Sequence, residues 1–592
     1  MRRDYAVLTP TTTPAAHAET MSADFTNAPP PTRVGGLRAV PMHIRDLRAV
    51  VTLDAATGTG TVAATLDYVV GPHAGSPIFD LRQTVQTCLL DGVKLDVAKI
   101  APHDVGAGPH SSIRLIGVEQ AAGSAHRLNL TYQLATPDAD LGGAYPPVLH
   151  GSNGRIRWSF GMSDLFAGRY LEAWFPANLP FDQFPWTLEL RITGTTTAHS
   201  LITNGSATVV GVNAWSVRFP DWFTTMSSLL ELRPSDALLF RSSTVLLPVS
   251  RRSVTVETWK PVGGQENLPA LNNRIGTLLA ENETTYGAFL ADRFVCFFHG
   301  AGGGMEYAGA ATTSAGALSH EVFHSWFARG ITPAAQTDGW WDEAYTSFRD
   351  DGDTLTEPFD FTMPPVELCS RKPFQRTTPS SAYDAGSRFF RGVAQRLGAD
   401  RLRALMGELY RYRRGTQLST GELEVHLLAR SGATDLVDAF HRFVYGFAEP
   451  TPDARIEFVT GPALWVRRAA DGIATHINPK AGRDSWIHAR ISNGAKAGPC
   501  RHFVVTFTVR TATATPPTYP SDFFPAHTAT VGFDLAPGRW RTVSARLPAA
   551  QLPASGTRIS ILASVHARRS HPASGTRVRE QASITQRDMT ID

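Results

Sequence analysis

The chain has 592 residues and a mass of 64.2 kDa, more than one hydrophobic core can serve, so three or four domains are expected. Apolar residues make up 42% and charged residues 18%, the balance of a soluble globular protein, and no run of about 18 apolar residues offers a transmembrane helix. A net charge of +3 argues against nucleic acid or an anionic membrane as the main partner.

Residues 1–36 are rich in Thr, Pro and Ala and read as a disordered tail. Arg2 and Arg3 are not followed by an apolar h-region, so no secretory signal is read. Cys88, Cys296, Cys369 and Cys500 are far apart and form no CxxC motif. Scattered thiols suit a reducing compartment, and the expected location is cytoplasmic. From 37 to 255 the segments AVVTLDAA, GTVAATLDYVV, HRLNLTYQLA, WTLELRIT and ATVVGVNAWSVRF are short, apolar or alternating, and separated by Gly, Pro, Asn and Asp. They predict an antiparallel β-sandwich or curved sheet, a scaffold forming one wall of a cleft. From 256 to 450 the period changes to i, i+3 and i+4, and six segments read as helices, from LNNRIGTLLAENETTYGAFLA to TGELEVHLLARSG. ADRFVCFFHG reads as a short buried strand, so this domain is predicted to be mainly helical with a small sheet. From 451 to 592 strands return, about 140 residues suited to a second sandwich of immunoglobulin-like size.

The chemistry concentrates in His320-Glu321-Val322-Phe323-His324. Two histidines at i and i+4 lie one turn apart on one helix face, where both imidazoles reach one ion. Glu321 projects beside them and can hold a water without being a ligand, the HExxH arrangement of zinc hydrolases. A catalytic zinc needs a third protein ligand and an open position. Glu343, nineteen residues after His324, begins a second apparent helix after a loop containing Gly330, Pro333 and Gly339. An antiparallel return would set it opposite the histidines and complete a His₂Glu site for one zinc ion per chain.

The stretch HEVFHSWFARGITPAAQTDGWWDEAYTSF resembles the zinc helix pair of the aminopeptidase N family, gluzincin peptidases with thermolysin-like catalytic domains. Upstream, Gly303-Gly304-Met305-Glu306-Tyr307 resembles that family's Gly-x-Met-Glu-x exopeptidase strand, and downstream Tyr383-Asp384-Ala385-Gly386 resembles its Tyr-x-x-Gly helix start. EAWFPANLPFDQFPWTLELRI is similar to the end of its N-terminal β domain. The glycyl aminopeptidases, which share the zinc pattern, are the nearest alternative family. The resemblance implies a zinc metallopeptidase with a peptide substrate. It implies His320, His324 and Glu343 as ligands, Glu321 as general base and Tyr383 as donor to the tetrahedral oxyanion. It implies Glu306 as partner of the substrate's α-amine, with Gly303, Gly304 and Met305 on the strand that pairs with the substrate backbone.

Three departures bear on specificity. No second carboxylate or amide from the N-terminal domain matches the family's amine pocket. Ala177-Asn178-Leu179-Pro180 replaces its Cys-x-Asp-x-Pro element. A final β domain, free to present a surface to a protein partner, stands in place of the family's large helical domain and implies a more open cleft. An endopeptidase or other amide hydrolase on the same site is therefore the rival enzyme reading, and a non-catalytic binding or scaffold protein the rival outside enzymes. Arg349-Asp350-Asp351-Gly352-Asp353 lacks a twelfth-position Glu and reads as a solvated helix end.

Overall fold

Strand Met42–Asp54 alternates buried and exposed residues through most of its length, and the tight turn after it returns the chain as Thr59–Val70. This hairpin is the middle of an eight-stranded sheet, in a computed structural model that describes residues 25–449, 454–469, 473–568, 570–578 and 580–592. Trp186–Thr193 joins the hairpin in parallel with Met42–Asp54, so the sheet is mixed, not purely antiparallel. A four-stranded sheet built from Val148–Ser152, Arg155–Ser159, Leu230–Pro234 and His199–Thr203 shares its core, where Trp158, Phe160, Trp174, Phe175 and Trp186 pack edge to face and stacked. The predicted tail is partly ordered: Thr32–Val34 is a strand paired with Leu37–Val40, while residues 1–24 lie outside the described residues.

The middle of the chain is less helical than its periodicity predicts. Seven α-helices are present among the described residues: α1 Leu268–Tyr286, α2 Leu318–Phe323, α3 Trp340–Asp350, α4 Ser387–Leu397, α5 Ala399–Arg413, α6 Thr420–Ser431 and α7 Leu436–Phe443. They pack beside a five-stranded sheet ordered Leu238–Leu246, Ser253–Pro261, Arg293–Phe298, Ala310–Thr313 and Gly304–Tyr307. The sheet begins earlier than the expected boundary at 255/256, which falls inside strand Ser253–Pro261. Short strands with both faces buried, such as Ala310–Thr313, carry no alternation to reveal them. Gly304–Tyr307 is the sheet's edge strand, with a ladder partner on one side only, Ala310–Thr313. Ser419 caps α6 in a reciprocal capping box with Glu422.

The final block holds two four-stranded sheets, one ordered around Ser485–Asn493 and one around Cys500–Thr511, with Ile487, Ile491, Phe503, Phe507, Ile561 and Val565 in the core between them. It does not stand apart from the helices. Val425 and Ala429 of α6 share a second apolar cluster with Val504, Phe523, Phe524 and Leu562. Beside that cluster, His502 Nε2 lies 3.2 Å from Glu424 Oε1 and its Nδ1 lies 3.3 Å from His441 Nδ1, while the Tyr445 hydroxyl donates to Glu424 at 2.9 Å. All four cysteines are free and buried. No helix among the described residues is long and apolar enough to cross a membrane.

Burial holds His441 down to about 4, with the neighbouring His502, Arg568 and Arg501 charges adding to the effect. His571 is likewise lowered to about 4 by burial, and His566 falls well below its ordinary value. These imidazoles bind protons more weakly folded than unfolded. Their contribution to stability is complete above the ordinary value of 6.5 and is lost as the pH falls towards about 4. Melting temperature should therefore fall between about pH 7 and about pH 4.5, and His441→Gln should make that fall shallower. Parallel curves for the two proteins would show that His441 does not contribute.

Candidate metal centre

Helix α2 is only six residues long, although the sequence pattern continues to Arg329. The chain turns out of the helix because the aromatics after His324 are drawn into the core: Trp326 packs on Phe289, and Phe327 on Tyr286 and Tyr345. Ser325 and Trp326 donate to the carbonyls of Val322 and Phe323 at 3.1 and 2.9 Å, and Ala328 adopts φ +140° in a turn that bridges Phe327 to Ile331. A non-glycine residue held there costs of the order of 1–3 kcal/mol. His324 keeps helical geometry at the end of α2, its N–H donating to His320 O at 3.2 Å, so the two imidazoles retain their one-turn spacing.

Helix α3 brings Glu343 to the same place from its first turn. The His320, His324 and Glu343 donor atoms lie within 4.8 Å of one another. His320 Nε2 is 3.1 Å and His324 Nε2 3.4 Å from Glu343 Oε2. The far nitrogens are engaged elsewhere: His320 Nδ1 with Asp350 Oδ2 at 2.7 Å, and His324 Nδ1 with the Phe327 carbonyl at 3.0 Å. Those outer contacts turn both Nε2 atoms inward. His324 Nε2 is buried and has no hydrogen-bond partner among the described residues, despite its proximity to Glu343. A buried imidazole nitrogen without a partner, beside a second imidazole and a carboxylate, fits the donor set of a zinc ion. The electrostatics agree: burial works against charge on His320, but hydrogen bonds to Asp350 and Glu343 and the surrounding carboxylates hold it well above its ordinary range. Burial also opposes ionisation of Glu343, yet the His324 charge, the hydrogen bond from His320 and the His320 charge hold its carboxyl well below the usual range.

Glu321 is buried on the other side of His324, and its carboxyl is pushed up to about 8 by burial, against the lowering effect of the two histidines. It lies over the edge strand at Gly304, where a Cβ would meet Glu321 Oε1 at 2.4 Å and Cδ at 2.5 Å. Gly303, at φ +77°, spends its carbonyl on the N–H of Ser314 at 2.9 Å, and Met305 is packed into the core of the N-terminal block. Tyr383 sits on a single π-helical turn, Ala382–Gly386, that leads into α4. Its ring stacks on His320 with centroids 6.3 Å apart, and its hydroxyl lies in the electrostatic field of Glu343, Asp164 and Glu306. A Cβ at Gly386 would stand 2.6 Å from Ala344 Cβ, so glycine lets this turn press against α3.

Glu306 is brought within reach of Glu321 and His324, their nearest donor atoms lying within 4.8 Å of one another. It is not free: Oε1 accepts from Arg329 Nη2 at 2.7 Å, with both side chains buried. Three contributors escape the sequence reading. Asp350 lies two helical turns after Glu343, on the same face of α3, and orients His320; its place in an acidic run makes it look solvated. Asp164 comes from a loop of the N-terminal block, buried, with its carboxyl raised to about 7 by burial and by the Glu343 and Glu306 charges. It is a buried N-terminal carboxylate near Glu306 and Glu343 that no motif marks, and only the fold reveals it. Arg329 is masked by the expectation that α2 continues through it.

His324→Ala removes one of three donors and should leave the purified protein well below one zinc per chain, measured by atomic absorption. Full occupancy would rule out this cluster as the metal centre. Gly304→Ala should retain metal but lose most hydrolytic turnover, because the new methyl occupies the Glu321 carboxylate's position. Unaltered turnover would show that Glu321 need not hold that position.

No protein-family model matches the sequence, and no curated protein sequence matches it. Solved structures do. An M1 zinc metallopeptidase from Deinococcus radiodurans superposes with a TM-score of 0.50 at 16% identity, over 66% of this chain and 91% of that one. A two-domain M1 zinc metallopeptidase mutant bound to L-arginine matches with a TM-score of 0.50 at 16% identity, over 72% of this chain and 99% of its own. Legionella pneumophila aminopeptidase A, in complex with aspartic acid, matches with a TM-score of 0.50 at 12% identity; the match covers 92% of this chain and 60% of that one. At these identities the likeness is one of fold: the chain has the multidomain fold of M1 zinc metallopeptidases, with sheets predominating over helices.

Proposed function

We propose that the protein is a zinc-dependent peptidase that removes N-terminal residues from peptides. The observation that carries this reading is the convergence of His320 Nε2, His324 Nε2 and Glu343, with the opposite ring nitrogens tied to Asp350 and the Phe327 carbonyl. His320, His324 and Glu343 would hold the zinc, which when bound supplies Lewis acidity to polarise a scissile carbonyl and ease deprotonation of a water. Glu321 takes the proton of the attacking water on its carboxylate and passes it to the leaving amine. Burial raises the proton affinity of that carboxyl above the usual carboxylate range, against the lowering effect of the two histidines. The Tyr383 hydroxyl, beside Glu343, donates to the oxyanion of the tetrahedral intermediate. The edge strand from Gly304 pairs with the substrate backbone, and Glu306 and Asp164 face its α-amine. A neighbouring structure of the same fold holds a Tyr-Ser-Ala substrate, which supports a peptide as ligand for this fold.

Glu321→Gln should keep zinc and lose at least about two orders of magnitude in turnover number, because the amide fills the same space but accepts no proton. The assay is release of a fluorogenic amine from aminoacyl substrates, with and without chelator. Near-normal turnover would remove Glu321 as the base, and turnover indifferent to chelator would remove zinc from the mechanism.

A further inference from the structure

The Glu306–Arg329 ion pair alters what the amine pocket can read. Glu306 is the carboxylate nearest Glu321 and His324 on the edge strand, and one of its oxygens is taken by Arg329 at 2.7 Å. The Arg329 side chain is 1% exposed, so solvent does not screen its charge. Its Nη1 donates to the Ala328 carbonyl at 3.0 Å, and its Nε is buried with no hydrogen-bond partner among the described residues. The charges of Asp342 and Asp164 also act on it. The guanidinium is held between Glu306 and the carbonyl of Ala328, the residue at φ +140°.

We infer that Arg329 is a specificity-determining residue that cancels the charge of Glu306, weakening the preference for a free N-terminal amine so that N-blocked peptides are also accepted. The inference rests on the peptidase reading above and widens its substrate class to N-blocked peptides. With Arg329 present, the Glu306–Arg329 pair offers an incoming ammonium no net charge. Without it, the Glu306 carboxylate faces the ammonium with no guanidinium to offset it. Removing Arg329 can therefore favour only the cationic substrate over the neutral one. Asp164, whose charge also acts on Arg329, remains as a second acid near the pocket and sustains residual amine preference.

The test is the ratio of kcat/KM for a free-amine aminoacyl-coumarin peptide to that for its N-acetyl analogue, measured on wild type, Arg329→Gln and Arg329→Lys. The wild-type ratio should be small, within about tenfold of unity, and Arg329→Gln should raise it by about tenfold, through a lower KM for the free amine. Arg329→Lys should restore the wild-type ratio. Arg329→Met, which keeps the packed stem, replaces Arg329→Gln where the latter does not fold. A purely structural role would lower both substrates equally and leave the ratio unchanged, which overturns the inference. A falling ratio also overturns it, by showing that Arg329 holds Glu306 towards the amine. Absence of chelator-sensitive turnover of both substrates by wild type would overturn the peptidase reading and this inference with it.

Discussion

The site depends on where two imidazole rings are turned. A histidine side chain can present either nitrogen, and the choice is made by what the other nitrogen touches. Here Asp350 and the Phe327 carbonyl take the two Nδ1 atoms, leaving both Nε2 atoms directed at Glu343. The carbonyl is available because the chain leaves α2 immediately after His324. That exit is enforced by Trp326 and Phe327 seeking the core, at the cost of a strained Ala328. Core packing thus fixes ligand direction through one turn of backbone. The same turn delivers Arg329 to Glu306, so the metal cluster and the pocket that would receive the substrate's N-terminus share one local constraint.

The surrounding charge follows from burial. Glu306, Glu321, Asp342, Glu343 and Asp164 are all withdrawn from water around two histidines and one arginine. Such a concentration of carboxylates is costly unless positive charge accompanies it, and the arrangement divides the acids by their partners. Glu343 lies among the histidines and ionises readily, whereas Glu321 and Asp164, with weaker compensation, hold their protons to higher pH. Neighbouring carboxyl groups thereby differ in how readily they ionise.

Much of this was legible in the sequence because it is local. The i, i+4 histidines, the return to Glu343 and the strand before α2 need only helical periodicity and short loops. The capping box at Ser419 is equally local. What was not legible depends on distant chain segments. Asp164 arrives from another block, and the contact between His502 and Glu424 joins the final sheets to α6. The five-stranded sheet was underestimated because its central strands are buried on both faces and lack alternation. The length of α2 was overestimated because aromatics spaced as in a helix can also be buried by a turn. Asp350 was readable in principle, since it repeats the face of Glu343 after two helical turns.

Zinc K-edge X-ray absorption on the purified protein tests the central claim most directly. The account predicts about one zinc per chain, coordinated by two imidazole nitrogens with oxygen completing the shell, and a loss of one imidazole contribution in His320→Ala. A sulfur ligand, or a zinc signal unaltered by that substitution, would contradict it.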